Sequence, residues 1–468
     1  MATLDRSRLF PQVVMDVFVE SWPGFGEVSD EDRRHLVMLM CSAFMQGKYA
    51  HHVYEDCISY YSRVRDKHFG RGGFYKLNDK LGLFRVEHWY LAGSHSKGYG
   101  LTPEALYLME SLPLRTTELM DINGVKLKTP AKDAILEKDA NGNHRKGKGQ
   151  LSAIVPVNID AMIALLEEAR AWRWHFKDGC APPLGRRLER RLMSMADDRQ
   201  RLDWLTHYLI TPLTLTILRA DTAVMPKGQM EIQFLESKAG RLYSVGGIMQ
   251  NAPREVRNAA FSGCYDYDVE NCHFDLVRQL AARIGMQTPA INDYLARKSE
   301  VRRQIAKDVG VSVKQTKSAL IALIYGATMR CNSFYKDGRE VQPAIVGLMG
   351  KEKAAALFNH PAYLALHQEV KRVRKPILDA AKKHRGNIIN PFGKGISTKE
   401  SAESQLAHLV QGAEALILDT VIQHHHQNLR MLMHDGFISA VRLDVNQLAA
   451  TIQNETGFTV SLEETQLL

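Results

Sequence analysis

The stretch Cys264–Leu276, CYDYDVENCHFDL, decides how the rest of the chain is read. Aromatic and β-branched residues over its first half predict a strand, and DLVRQLAARIG, from Asp275, then takes helical spacing. Alternate residues of a strand share a face, so Asp266, Asp268 and Glu270 crowd together, opposite Tyr265, Tyr267 and Val269. Like charges so placed repel unless a cation or partner neutralises them, and hard carboxylate oxygens suit Mg²⁺. A solvent-facing edge strand with a polar face is the plainer alternative.

Working outward, MLMHDGFISAV, from Met431, has two apolar arms around His-Asp-Gly, a hairpin signal. Alone it is a plain turn; beside the first strand it can bring a second, chain-distant carboxylate to the same cation. SVKQTKSALIALIYGATM, from Ser312, predicts a helix capped by Ser312 or Ser318 and ended or bent by Gly326. Lys314, Lys317 and Tyr325 recur on it at helical intervals, a pattern that can hold a triphosphate and stack on a base; solvated lysines are the alternative. GRLYSVGGIMQNAPREVR, from Gly240, has little periodicity and reads as an extended loop whose backbone and amides suit sugars and phosphates.

The 468 residues carry 61 Lys+Arg against 52 Asp+Glu, a net charge of +9, with 45% apolar residues. That composition excludes a disordered, collagen-like or disulfide-scaffold chain, and the charge hints at a polyanionic partner. The six cysteines form no CxxC pair, so reduced, mostly buried thiols are expected. The N-terminus lacks a signal-peptide pattern and no stretch is apolar enough to span a bilayer, so a cytoplasmic protein without a membrane partner is expected. In the first region FYKLNDKLGLF has helical spacing and VEHWYLAGSHSKGYGLT reads as two extended arms, either a winged-helix-like DNA-binding module or an ordinary helix plus hairpin. Arg186 and Arg190, and Arg187 and Arg191, sit four apart on a helix, as a phosphate grip or as a solvated face. Consecutive His424, His425 and His426 point in different directions on a helix, so they suggest no metal site.

In this order the four constellations resemble the polymerase core of family A DNA polymerases and, less closely, the single-subunit phage-type RNA polymerases. Gly240-Arg241-Leu242 with Gln250-Asn251-Ala252-Pro253 matches the segment before the palm. Asp268 matches motif A, Lys317 with Tyr325-Gly326 matches motif B, and His434-Asp435 matches motif C. Gln411-Gly412 matches a further element shortly before motif C. The resemblance covers roughly residues 235–468. It implies an α+β right-hand fold of thumb, palm with antiparallel sheet, and helical fingers. The implied organisation is a mostly helical N-terminal module at 1–136, a flexible loop or linker at 137–150, and a helical thumb-like region at 151–235. Palm follows at 236–276, mainly fingers at 277–400, and palm again at 401–468.

The resemblance further implies a template-directed nucleotidyltransferase, a DNA polymerase without a proofreading exonuclease, from a phage or plasmid replication system. Asp268 and Asp435, with the Val269 carbonyl, would hold two Mg²⁺ (Mn²⁺ as a substitute), with Asp266 as the alternative to Asp268. Lys317 and Lys314 would meet the triphosphate, Tyr325 and Gly326 the nascent base pair, and Asn271 and His273 the polar and sugar-gate positions. Arg241, Gln250, Asn251 and Gln411 would touch primer–template sugars, and His434 the primer terminus. Partners would be a DNA primer–template, or an RNA template or primer, and a dNTP or NTP, with the protein a monomer. KRVRKPILDAAKKHRG would be a basic helix and turn over the nucleic acid. The chain departs from the family at His273, where DNA polymerases usually carry Glu, at Ile321 in place of an aromatic, and at Gly436 in place of Glu or Ser. His273 and Ile321 keep an RNA polymerase or primase open. A non-catalytic replication initiator or nucleic-acid-binding protein on a degenerate polymerase fold is the alternative from another class.

Overall fold

The computed structural model describes residues 9–45, 58–59, 68–70, 72–87, 98–129, 150–183, 187–245, 249–250, 252–270, 272–336, 339–433 and 435–468. The architecture is mixed α+β, with small antiparallel sheets among many helices.

Helices Gln12–Ser21 and Asp30–Met45 precede the helix Gly73–Leu81, which turns Phe74, Asn78 and Leu81 inward. The Asn78 side chain donates to Phe84 O and accepts from Phe84 N, both at 2.8 Å, tying that helix to the strand Phe84–Glu87. This strand pairs antiparallel with Gly98–Leu101, so the expected helix and two extended arms are present. The tip between the arms, at 88–97, lies outside the described residues, as do 137–149 of the expected linker and Arg186. Several contacts dock the first region on the chain beyond residue 150. Arg219 Nη1 donates to Leu9 O at 3.1 Å, and Arg173 pairs with Glu110 at 2.7 Å.

Next come β1 (Gln150–Pro156), α1 (Ile159–Asp178), α2 (Thr211–Ala220), β2 (Gln229–Glu236) and β3 (Leu242–Val245). The region read from sequence as helical is therefore helical only in its middle. β1 pairs with β2 from Gln150↔Leu235 to Pro156↔Gln229, and β2 pairs with β3. Ala153 and Val155 face Met230, Ile232 and Phe234 in the core, a period of two that two short strands nearly eighty residues apart do not advertise locally. The expected loop from Gly240 likewise contains β3 and the short helix Arg254–Ala260, which starts directly after Pro253. Arg191 lies over the Trp204 ring at 5.7 Å.

The second sheet is assembled from β4 (Tyr265–Val269), β5 (Leu429–Leu432), β6 (Gly436–Ser439) and β7 (Leu462–Gln466) in the order β5-β6-β4-β7, all antiparallel. β4 runs into α3 (Cys272–Ala282), as its sequence predicts. Between β4 and β5 the chain makes α4 (Lys298–Val309), α5 (Val313–Ile324) and α6 (Pro361–Ala380), with small hairpins. It returns along the 24-residue α7 (Ala402–His425). After the hairpin, α8 (Val445–Thr456) and β7 form the expected helix and closing strand.

Tyr267, fully buried beneath the sheet, stacks on Phe437 with centroids 5.0 Å apart. Its hydroxyl accepts from Leu443 N at 2.7 Å and donates to Glu464 at 3.0 Å, which fixes the register on both sides. Of the described cysteines, Cys41 and Cys272 are buried, Cys264 and Cys331 half-buried and Cys180 exposed, so burial is less general than expected. No described helix is long and apolar enough to cross a membrane.

Candidate functional site

The strand pattern of β4 sends Tyr267 and Val269 into the core and leaves Asp266 and Asp268 on the open face. Across the sheet Gly436, Asp268 and Glu463 form one row. A Cβ at position 436 would meet Tyr267 O at 2.2 Å, so only glycine lets β6 approach β4 this closely. That is a physical reason for Gly436 in this sequence. Asp435 immediately precedes it, and its backbone carbonyl accepts the Val269 N–H at 2.8 Å. The hairpin thus fixes Asp435 beside the end of β4. N–H and C=O of one residue leave an antiparallel strand on the same side, so the Val269 carbonyl also faces the hairpin.

The charges of Asp435, Asp266 and Lys317 all reach Asp268. Loss of solvation, then the charge of Asp435, pushes the Asp268 carboxyl up to about 7, with Lys317 opposing and Asp266 and Glu463 adding to the push. Burial also raises Asp266, but its opposing cations are Arg257 and Arg254. The two candidate aspartates therefore differ in their cations: Asp266 faces two arginines of the short helix after Pro253, Asp268 the exposed Lys317.

Lys317 is aimed by α5. Ser312 Oγ accepts from Gln315 N at 3.1 Å and Gln315 Oε1 accepts from Ser312 N at 3.0 Å, a reciprocal cap that starts the helix where the sequence predicts. Lys314 and Lys317 are exposed one turn apart, with Ile321 half-buried beyond them. Tyr325 closes the helix, and Gly326 follows at φ 79°. A Cβ on Gly326 would lie 2.4 Å from the Glu403 side chain, which is itself paired with Arg374 at 2.7 Å.

Beside the acids lies a buried polar knot. Arg241 Nε donates to Glu414 Oε2 at 2.8 Å, and Nη2 contacts the same oxygen. Nη2 also reaches His273 Nε2 at 2.7 Å and Tyr325 Oη at 3.0 Å. The His273 and Tyr325 rings meet edge to face at 5.4 Å, and Gln411 hydrogen-bonds Tyr325. Burial alone would lower the Arg241 pKa, but Glu414, then Tyr325, raise it and hold the guanidinium charged.

Arg241, His273, Tyr325 and Gln411 are thus brought together, and Asp268, Asp435 and Lys317 form a second group next to them. Gln250 lies apart from both, in the interior. Its Nε2 donates to Leu242 O at 3.0 Å and Leu432 O at 3.1 Å, and its Oε1 accepts from Ser244 N at 2.9 Å, so it clamps β3 to β5. Asn251, Asn271 and His434 lie outside the described residues.

Sequence reasoning missed Glu414 and Lys298. Glu414 left one signal, a lone carboxylate three residues after Gln411 on an otherwise apolar helix stretch. Lys298, at the start of α4, pairs with Glu270 at 2.8 Å and Glu463 at 3.0 Å, joining that helix to the acid-bearing sheet. Its spacing in the sequence left no signal.

Among the described residues no group of three or more His, Cys, Asp or Glu side chains converges as a metal cage. The donor chemistry nevertheless fits a hard divalent cation: two aspartates on adjacent elements, one pushed up to about 7 by loss of solvation and then by the other's charge, with a backbone carbonyl on the same side. No protein-family model and no curated protein sequence matches the chain. Among solved structures it is similar to the POL domain of Pol1 from M. smegmatis in complex with DNA primer-template and dNTP. The identity is 15% and the TM-score 0.39, over 67% of each chain.

Proposed function

We propose that this protein is a template-directed nucleotidyltransferase, a DNA polymerase of family A type that extends a primer with nucleoside triphosphates. One observation carries the reading: Asp435, far from Asp268 in sequence, is held beside it by the Val269 N–H, and its charge and that of Lys317 both reach the Asp268 carboxyl on the open face of β4, an acid floor. Such a floor suits in-line displacement on a polyphosphate, where catalysis consists of positioning and charge neutralisation.

Asp268 and Asp435, with the Val269 carbonyl, would hold two Mg²⁺, which when bound make the primer 3′-hydroxyl more nucleophilic and offset charge on the leaving pyrophosphate. Lys317 can donate hydrogen bonds to the triphosphate and a proton to the departing pyrophosphate. Lys314, one turn earlier on the same exposed face, adds positive charge along the same path. Tyr325, whose ring is held by His273, Arg241 and Gln411, offers an aromatic edge to the base pair being formed. Arg241 binds inside the protein and supports this wall.

A second reading, a DNA-templated RNA polymerase or primase, is favoured by His273, whose imidazole stands where an acidic sugar gate would otherwise be expected. Primer extension with Mg²⁺ separates the readings. The proposal expects dNTP addition to a primed DNA template with no degradation of the primer. Strong rNTP synthesis without a primer selects the second reading, and absence of any incorporation by the folded protein overturns both.

A further inference from the structure

The knot beside the cleft contains a carboxylate that the proposed chemistry does not use. Glu414 is 2% exposed and sits on α7, among apolar neighbours. Its Oε2 takes hydrogen bonds from two nitrogens of Arg241, while its Oε1 is buried with no hydrogen-bond partner. An ion pair this deeply buried is weak evidence for stability, because desolvation offsets much of the attraction. Its geometry points to another role.

Arg241 Nη2 carries two hydrogens and faces three acceptors: Glu414 Oε2, His273 Nε2 and Tyr325 Oη. Glu414 fixes the plane of the guanidinium through Nε, and the plane in turn fixes where Nη2 meets the other two groups. Arg241 has no acceptor, so a hydrogen bond in this contact runs from Nη2 to His273 Nε2 and leaves the imidazole proton to Nδ1. One interior carboxylate therefore orients the nitrogen that meets both His273 Nε2 and the Tyr325 hydroxyl.

We propose that Glu414 is a positioning residue for sugar recognition: acting through Arg241, it sets His273 and Tyr325 in the arrangement that distinguishes a deoxyribonucleotide from a ribonucleotide. The inference rests on the reading of the site as nucleotidyl-transferring. A wall of fixed donors and acceptors can discriminate a hydroxyl strongly, and a loosened wall cannot.

The test uses the full chain and its Glu414→Gln variant, which keeps the shape and removes the charge. Glu414→Asp, which keeps the charge and withdraws it by one methylene, carries the test if Glu414→Gln does not fold. KM and kcat are measured for dATP and ATP opposite template dT on one primer–template, with melting temperature as the control for folding. The expected result is about a tenfold loss of dATP-over-ATP preference, expressed mainly in KM, in a variant that melts cooperatively. The ¹⁵N signals of His273 should report a changed tautomer mixture in the same variant. A folded variant with KM, preference and His273 signals matching the wild type overturns the inference and leaves the nucleotidyl-transfer reading intact. A wild type that incorporates neither nucleotide overturns that reading, and the inference with it.

Discussion

The acid floor around Asp268 and the knot around Arg241 lie within electrostatic reach of each other and treat charge in opposite ways. On the floor, aspartates crowd on an open strand face, and Asp268 is pushed up to about 7. In the knot, Glu414 is wholly buried: loss of solvation pushes its carboxyl up to about 8, and Arg241, bound to one oxygen at two points, opposes that rise. The floor keeps an unmet demand for positive charge, as a ligand-binding surface must. The carboxylate of the knot is answered from within, by Arg241, and is closed to solvent. The difference teaches where to look for function on a charged face: among the charges that stay open to solvent.

The largest expected effect is at the floor. Asp435→Asn should lower primer extension by on the order of a thousandfold, since it removes charge that acts at the reacting phosphate. The same change should leave thermal stability unchanged or slightly raised, because it relieves repulsion with Asp268. Extension at the wild-type rate would revive a non-catalytic role and collapse the contrast between the two regions.

The knot should respond the other way. Arg241→Met strands Glu414 and should cost about 3–5 kcal/mol in urea unfolding, with the double variant Arg241→Met/Glu414→Leu recovering most of it. A single variant as stable as the wild type would show that the pair is not the internal compensation described.

The smallest effect is in pH dependence. Asp268 has a folded pKa raised above its unfolded value, so between about 4 and 7 the folded state binds more protons than the unfolded one. Stability from this group is present at low pH and is lost as pH rises through that window. In chelator-treated protein, Asp268→Asn should flatten the fall in stability between pH 4 and pH 7 seen with the wild type. Parallel curves for the two proteins would mean that Asp268 is better solvated than its surroundings indicate.

Much of this was legible where a signal is local. The alternation through Tyr265–Val269, the His-Asp-Gly turn and the Ser312 cap each act within a few residues, and each formed the predicted element. What pairs across long separations was not legible. β1 and β2 are strands because each supplies the other's hydrogen bonds, and Glu414 matters because Arg241, 173 residues earlier, arrives beside it. Gln250 shows a different limit: the same amide that could reach a sugar satisfies three backbone groups, and a sequence does not say which partners come closer.

The place of β4 in its sheet bears on how the molecule is made. Both neighbours of this central strand, β6 and β7, are synthesised more than 160 residues after it. Until Gly436 has been added, both edges of the strand carry unsatisfied backbone groups, a state prone to adventitious strand pairing. Closing a sheet over such separations is slow, since long loops must be ordered before any ladder forms. Asp268 therefore has no Asp435 beside it while the long stretch between them is made, and the charges that would do chemistry meet only when β6 closes on β4.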